Sequence, residues 1–356
     1  MKSTPLFEDA LSLLKELIAT QSFSKEEHET AGAIARFFAL RSIEHSQVGN
    51  NIYALNKHFD PSKPTILLNS HHDTVKPNKA YTLDPFSPIV SEGKLYGLGS
   101  NDAGGPLVSL IACFLFFYNK PDLKYNIVLA ATAEEEISGT GGIEYTLPYL
   151  PNIEFAVVGE PTLMQMAIAE RGLLVLDATA TGKPGHAARE EGDNAITKAV
   201  QDINWFIGKK FPLVSDLLGP VKMSVTVIES ENKAHNVVPG ECRFVVDVRV
   251  NELYSFDEII REIKQQVHSE IKPRSTRLKS SMIPLDHPLV KSGLSLGLTT
   301  YGSPTTSDKA LMPFPALKIG PGDSARSHSA DEFIYIQEIS DGIDTYIQLL
   351  EKIVNE

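Results

Sequence analysis

Apolar residues recur along the first half of the chain in two alternating rhythms. Leu11, Leu14, Leu17 and Ile18 share one face at helical spacing and predict a helix over 7–20. A second helix is expected to start at Ser24, where Ser24 and Glu27 have the spacing of a capping box. Short apolar runs follow at NIYAL (51–55), TILLN (65–69), NIVLAAT (126–132) and FAVVG (155–159). All but the first are nearly continuous, as strands covered on both faces are. The stretch PLVSLIACFLFFY (106–118) is apolar all round but short of the roughly 20 residues that span a bilayer. It predicts a helix buried on most sides. Strands alternating with helices predict an α/β domain, a mixed sheet with helices on both faces.

The texture changes near residue 165. A strand over LLVLDATATG (173–182) precedes a helical run from Asp193 to Lys209, striped by Ile196, Ala199, Val200, Ile203 and Ile207. Two more strand-like runs occupy 222–230 and 241–250, then a helix over 256–271 with Ser255 and Glu258 as its capping box. TRLKSSMI (276–283) reads as the last strand. The order β-α-β-β-α-β is that of a ferredoxin-like unit, so residues 166–283 are expected to form an inserted α+β domain. The first domain, 1–165, then resumes over 284–356 with a helix (287–298), a strand (314–320) and a long C-terminal helix (335–354).

A length of 356 residues suits two domains. Lys and Arg total 33 against 45 Asp and Glu, a net charge of −12, which argues against nucleic-acid or anionic-membrane partners. Cys113 and Cys242 are too few for a disulfide framework and suit a reducing compartment. The N-terminal stretch lacks the basic-then-apolar order of a signal peptide. A cytoplasmic protein is the expectation.

The polar residues of interest follow the apolar runs, and in open α/β sheets ligands bind beyond the carboxyl ends of strands. After TILLN comes NSHHDTV, whose strand alternation sends His71 and Asp73 one way and His72 the other. GLGSNDAGGP places Asp102 in a glycine-rich turn before the apolar helix. TAEEEISGTGG closes a buried strand with Glu134, Glu135 and Glu136, carboxylates that repel one another unless cations compensate. VVGEPT sets Glu160 after another such strand, and GPGDSARSHSADEF carries His328. Each has a plainer reading alone: a polar strand exit, an N-cap, a solvated acidic turn, a structural histidine. Together they put two histidines and several carboxylates at one sheet edge, a donor mixture that suits zinc or a similar divalent ion, with enough ligands for two.

His71-x-Asp73, Gly99-x-x-Asp102, Glu135-Glu136, Gly159-Glu160-Pro161 and late His328, in this order, resemble the motif series of the di-zinc amidohydrolases and metallopeptidases. That family includes acetylornithine deacetylase, succinyl-diaminopimelate desuccinylase and carboxypeptidase G, and the resemblance covers essentially the whole chain. It implies two divalent ions, zinc first with cobalt or manganese as alternatives. His71 and Glu160 would hold one, Glu136 and His328 the other, and Asp102 would bridge them. Asp73 would orient His71, and Glu135 would be the general base. The chain departs from the family's usual residues at Ser70, His72, Leu98, Ala103 and Gly104, and at Glu134, where an Asp is usual; none of these removes a ligand. In the inserted domain, TGKPGHAAR resembles the segment whose histidine, here His186, reaches the oxyanion, in dimeric members from the partner subunit. Asn236 of NVVP and Arg249 of DVR match positions that hold the substrate carboxylate, and Thr306 of TTSDKA a substrate-contacting loop.

The resemblance implies hydrolysis of the amide of a small N-acyl amino acid by a homodimer joined through its lid domains. N-acetylornithine or a close analogue (N-acetylcitrulline, an N-succinyl derivative) in arginine biosynthesis is the first reading. A dipeptidase, an aminopeptidase or succinyl-diaminopimelate desuccinylase is the nearest alternative. A non-catalytic binder of acylated amino acids would be expected to have lost Glu135 or a ligand, and neither is lost.

Overall fold

The computed structural model describes residues 5–189 and 191–355, which divide into two units. The first holds the described residues up to Ile168, Ile283–Tyr301, and those from Ser307 onward; the second holds Ala169–Met282 and Gly302–Thr306. The chain leaves the first unit and returns to it at adjacent points, Ile283 N donating to Ile168 O at 2.8 Å.

The first unit is built on a mixed sheet. Its strands lie in the order Ser46–Val48, Asn51–Leu55, Asn126–Thr132, Thr65–His71, Ile153–Val158, Ala316–Lys318 and Met166–Glu170. The four from Asn126–Thr132 to Ala316–Lys318 run parallel, and the flanking strands pair antiparallel. Residues alternate across this sheet. Ile66, Leu68, Ile127 and Leu129 join one apolar cluster with the helices Pro5–Ile18, His28–Ala39, Gly105–Tyr118 and Ile336–Val354. Leu67, Val128 and Ala130 face the other way, against Ile143 of a one-turn helix and Leu311, Met312 and Phe314. Each large side chain buried in this way contributes roughly 1.5–3 kcal/mol. The run 106–118 is the expected core helix, with Leu107, Leu110, Ile111, Phe114 and Phe117 inaccessible to solvent.

Two expectations need correction here. The second helix begins at His28, not Ser24, and its N-cap residue Glu27 makes no side-chain cap bond. The Ser24 hydroxyl instead donates to Asp73 Oδ2 at 2.7 Å. Glu27, fully buried, accepts from the Lys25 and Glu134 amides and from Asn50 Nδ2. The capping-box spacing marks residues that link this turn to two strand ends.

In the second unit the strand Lys222–Ser230 lies beside Glu241–Val250, then Gly172–Thr181, then Glu270–Pro273, all antiparallel. With the helices Ala195–Gly208 and Phe256–Gln266 this is the ferredoxin-like order. The closing strand is not 276–283, of which only Ser281 and Met282 are extended as a strand. The second helix stops at Gln266, well before 271. Buried Asp202 accepts the main-chain N–H groups of His268 and Ser269, at 3.1 and 2.8 Å, and turns the chain into the sheet early.

Candidate metal centre

The four neighbouring parallel strands each deliver polar side chains at their carboxyl ends. Thr65–His71 ends in His71, and Asn126–Thr132 leads into Glu134, Glu135 and Glu136. Ile153–Val158 leads to Glu160, and Ala316–Lys318 leads through a Gly-Pro-Gly turn to His328. Asp102 comes from the turn before the core helix. That turn needs Gly99, whose φ is +75° and where a Cβ would lie 2.6 Å from Thr74 Cγ2.

Asp102 stands between the two histidines. Its Oδ1 lies 3.3 Å from His71 Nε2 and its Oδ2 lies 3.7 Å from His328 Nε2. His71 Nε2 is also 3.9 Å from both Glu135 Oε2 and Glu160 Oε1, and His328 Nε2 is 2.9 Å from Glu136 Oε2. Donor atoms of His71, Asp102 and Glu136 lie within 4.8 Å of one another, as do those of His71, Glu135 and Glu160. Imidazole nitrogens and carboxylate oxygens in this number fit two divalent cations.

Local chain geometry decides which glutamates take part. Glu134 sits at φ +57°, and its carboxylate turns back to accept the Gly141 N–H at 3.1 Å. Glu135 and Glu136 are held toward the histidines by Asp73, whose Oδ1 and Oδ2 accept their amides at 3.0 and 3.2 Å. Asp73 reaches His71 Nδ1 mainly through its carbonyl oxygen at 3.0 Å, with Oδ1 at 3.4 Å. His72 points away, its Nε2 2.9 Å from the Asn50 carbonyl and its Nδ1 2.9 Å from Thr30 Oγ1. Burial pushes its pKa down to about 4, so it is neutral.

The electrostatics are those of an acidic cavity around a single buried imidazole. Burial opposes charge on His71, yet hydrogen bonds to Asp102 and Asp73 and the charges of Glu135 and Glu160 raise its pKa well above the ordinary value. Burial, then the neighbouring Glu160, raises Glu135 well above the usual carboxylate range. Burial likewise raises Glu136. His328 is lifted to about 9, first by its hydrogen bond to Glu136. Cations would relieve this mutual repulsion.

The remaining expected site residues lie in the second unit. His186 and Asn236 are brought together: His186 pairs with Val237 in a two-stranded ladder, and Ala187 N donates to Asn236 O at 3.0 Å. Both are exposed. Arg249 is engaged by its own strand, with Nε and Nη2 at 2.8 and 3.1 Å from the two Asp247 oxygens. Thr306 donates to the Arg171 carbonyl at 2.8 Å.

Three residues went unread in the sequence. Arg171 is nine-tenths buried and near enough to Arg249 for that charge to lower its pKa, after burial. Its guanidinium donates to the Leu218 carbonyl and has no ion pair among the described residues. Asp308 is buried beside the sheet edge, bonded by Thr132 Oγ1 at 2.9 Å, with its pKa pushed up to about 7 by burial. Glu332 is buried beneath the Asp102 turn, and burial and Asp102 raise it to about 8. The one available signal was position: Asp308 and Glu332 lie inside segments already singled out, TTSDKA and GPGDSARSHSADEF, and Arg171 lies just before the strand run 173–182.

Residues 67–352 match the model of Peptidase family M20/M25/M40. The chain belongs to this family. Among its curated relatives is the succinyl-diaminopimelate desuccinylase of Rickettsia bellii, 27% identical over 276 residues, which are 74% of this chain and 66% of that protein. The enzyme of the same name from Thioalkalivibrio sulfidiphilus is 25% identical over 98% of this chain and 100% of its own length. A solved tripeptidase of Staphylococcus aureus has the same fold, with a TM-score of 0.79 at 18% identity over 98% of this chain and 99% of its own. So does a Bacillus subtilis M20 protein described as a dinuclear metal-binding peptidase, with a TM-score of 0.74 at 14% identity over 98% and 99%. This M20 chain is thus an amidohydrolase, with a candidate dinuclear centre at its sheet edge.

Proposed function

We propose that the protein hydrolyses the amide bond of an N-acylated amino acid at the His71–Asp102–His328 centre. The observation that carries the reading is Asp102, with one oxygen toward each histidine, and Glu135 beside it. His71, Glu160 and Asp102 would hold one divalent cation and Asp102, Glu136 and His328 the other, zinc being the first choice. Such cations polarise an amide carbonyl and acidify water.

Glu135, as its carboxylate, takes the proton of the attacking water and returns it to the leaving amine; burial and Glu160 raise its affinity for that proton. Asp73 keeps Glu135 and Glu136 in place through their amides. His186, delivered by lid closure, donates to the developing oxyanion. Arg171 and Arg249, the latter paired with Asp247, would receive the substrate's carboxylate, and Asn236 and Thr306 would border it.

The first choice of substrate from the sequence is N-acetylornithine, with N-acetylcitrulline and N-succinyl derivatives beside it. The desuccinylases among the relatives add weight to the succinyl group. Comparing kcat/KM for N-acetylornithine, N-acetylcitrulline, N-succinylornithine, succinyl-diaminopimelate and a dipeptide panel tests the class. An acyl amino acid leading is the expected result, whereas a dipeptide ahead by orders of magnitude would overturn it. Arg171→Met should raise KM for a carboxylate-bearing substrate about 10–100-fold and change kcat less, the value of one charge-assisted contact. An unchanged KM in steady-state assays would remove Arg171 from recognition.

We also infer a homodimer through the second unit. Its edge strand Lys222–Ser230 pairs on one side alone among the described residues, and Val227 and Ile228 are exposed on it. Ile196, Val200 and Ile207 are exposed on the helix of the same unit. A strand edge with apolar side chains invites pairing with a second copy. Val227→Lys is expected to sediment as a monomer where the unsubstituted protein sediments as a dimer. A variant that stays dimeric places the interface elsewhere.

A further inference from the structure

The mechanism gives no part to Glu332, a buried carboxylate beneath the Asp102 turn. Glu332 Oε1 accepts the N–H groups of Asn101 and Asp102 at 2.8 and 2.9 Å, and its Oε2 accepts that of Gly99 at 3.2 Å. Its carbonyl oxygen accepts the Gly97 N–H at 2.9 Å. One carboxylate therefore takes three main-chain N–H groups of the turn that presents Asp102, beside the bonds that Asn101 makes with Asp323. Glu332 also lies four positions beyond His328 on a stretch that is itself fastened. Asp331 accepts the Thr82 and Leu83 amides at 2.8 and 2.9 Å, and Arg326 forks onto Glu338 at 2.7 and 2.9 Å.

We propose that Glu332 is a positioning residue of the metal centre, tying the Asp102 turn to the His328 segment and so setting the spacing of the two cation positions. The proposal rests on reading Asp102 and His328 as ligands. The physical reason is local. Without the carboxylate, three buried N–H donors lose their acceptor, and each such loss costs about 1–3 kcal/mol unless the turn moves or water enters. A glutamine has nearly the same shape. In either orientation, though, it sets an NH2 group against a main-chain N–H, so the turn cannot keep its place. Groups that orient metal ligands typically carry 10–100-fold in metal affinity.

The test compares zinc affinity, by chelator competition, and the visible absorption of the cobalt-loaded protein. Both are measured on the unsubstituted chain, Glu332→Gln and Asp331→Asn, with urea midpoints of each metal-free protein. Glu332→Gln is expected to weaken zinc about 10–100-fold and to shift the cobalt spectrum, with its metal-free midpoint nearly unchanged. Asp331→Asn, which loosens the same stretch away from Asp102, is expected to bind zinc normally. Normal zinc binding by Glu332→Gln overturns the proposal, as does an equal loss in Asp331→Asn or a loss matched by metal-free instability. Should Glu332→Gln fail to fold, Glu332→Asp is read by the same criteria. Two zinc ions on the unsubstituted chain without amide hydrolysis would sink the proposed reaction alone. No zinc at all would sink both.

Discussion

Glu135→Gln is expected to keep its metal content and to lose roughly 10²–10⁴-fold in kcat, the usual contribution of a general acid–base. Glu135 Oε2 lies 3.9 Å from His71 Nε2, next to the atoms that would bind cations. Burial and Glu160 raise its proton affinity well above that of a free carboxylate, which suits a group that must both take and return a proton. Glutamine preserves the shape and the Asp73 bond to the main-chain N–H, so the loop should stay in place. Single-turnover rates with metal analysis on the same sample check the claim. Near-normal turnover by a metal-replete variant would mean that another group moves the proton.

Asp102→Ala has the second large expected effect, and it falls on metal binding. Each carboxylate oxygen faces a different histidine, so the substitution removes a donor from both cation positions at once. Metal content is expected to fall from two ions to one or none, with activity lost in parallel. His328→Ala should leave one ion bound, because His71, Asp102 and Glu160 stay together. Mass-spectrometric metal counts after dialysis decide the matter. An Asp102→Ala protein that retains two ions would refute the shared-carboxylate reading.

The residues legible in the sequence are those whose geometry is local. A strand's two-residue period was enough to send His71 and Asp73 one way and His72 the other. The carboxyl ends of apolar runs were enough to gather His71, Glu136, Glu160 and His328 at one edge. Which of three adjacent glutamates face inward depends on the left-handed turn at Glu134 and its bond to Gly141, and spacing alone does not reveal that. Glu332 was illegible for a different reason. Its partners are main-chain amides some 230 positions away, and a bond to backbone leaves no mark on the partner's side chain. Arg171 reads as an ordinary charge before a strand until the neighbouring strand brings Arg249 beside it. The second unit's closing strand was misplaced because Glu270–Pro273 carries one buried apolar residue, Ile271, too little for a pattern.

The central claim is that two cations at the Asp102 centre drive hydrolysis of an acyl amino acid. The most direct measurement strips the protein with chelator and titrates zinc back while following N-acetylornithine and N-succinylornithine cleavage. The account predicts no cleavage by the stripped protein and a rise that levels off at about two zinc ions per chain. Undiminished cleavage by the stripped protein, or two bound ions without cleavage of any acyl amino acid, would contradict it.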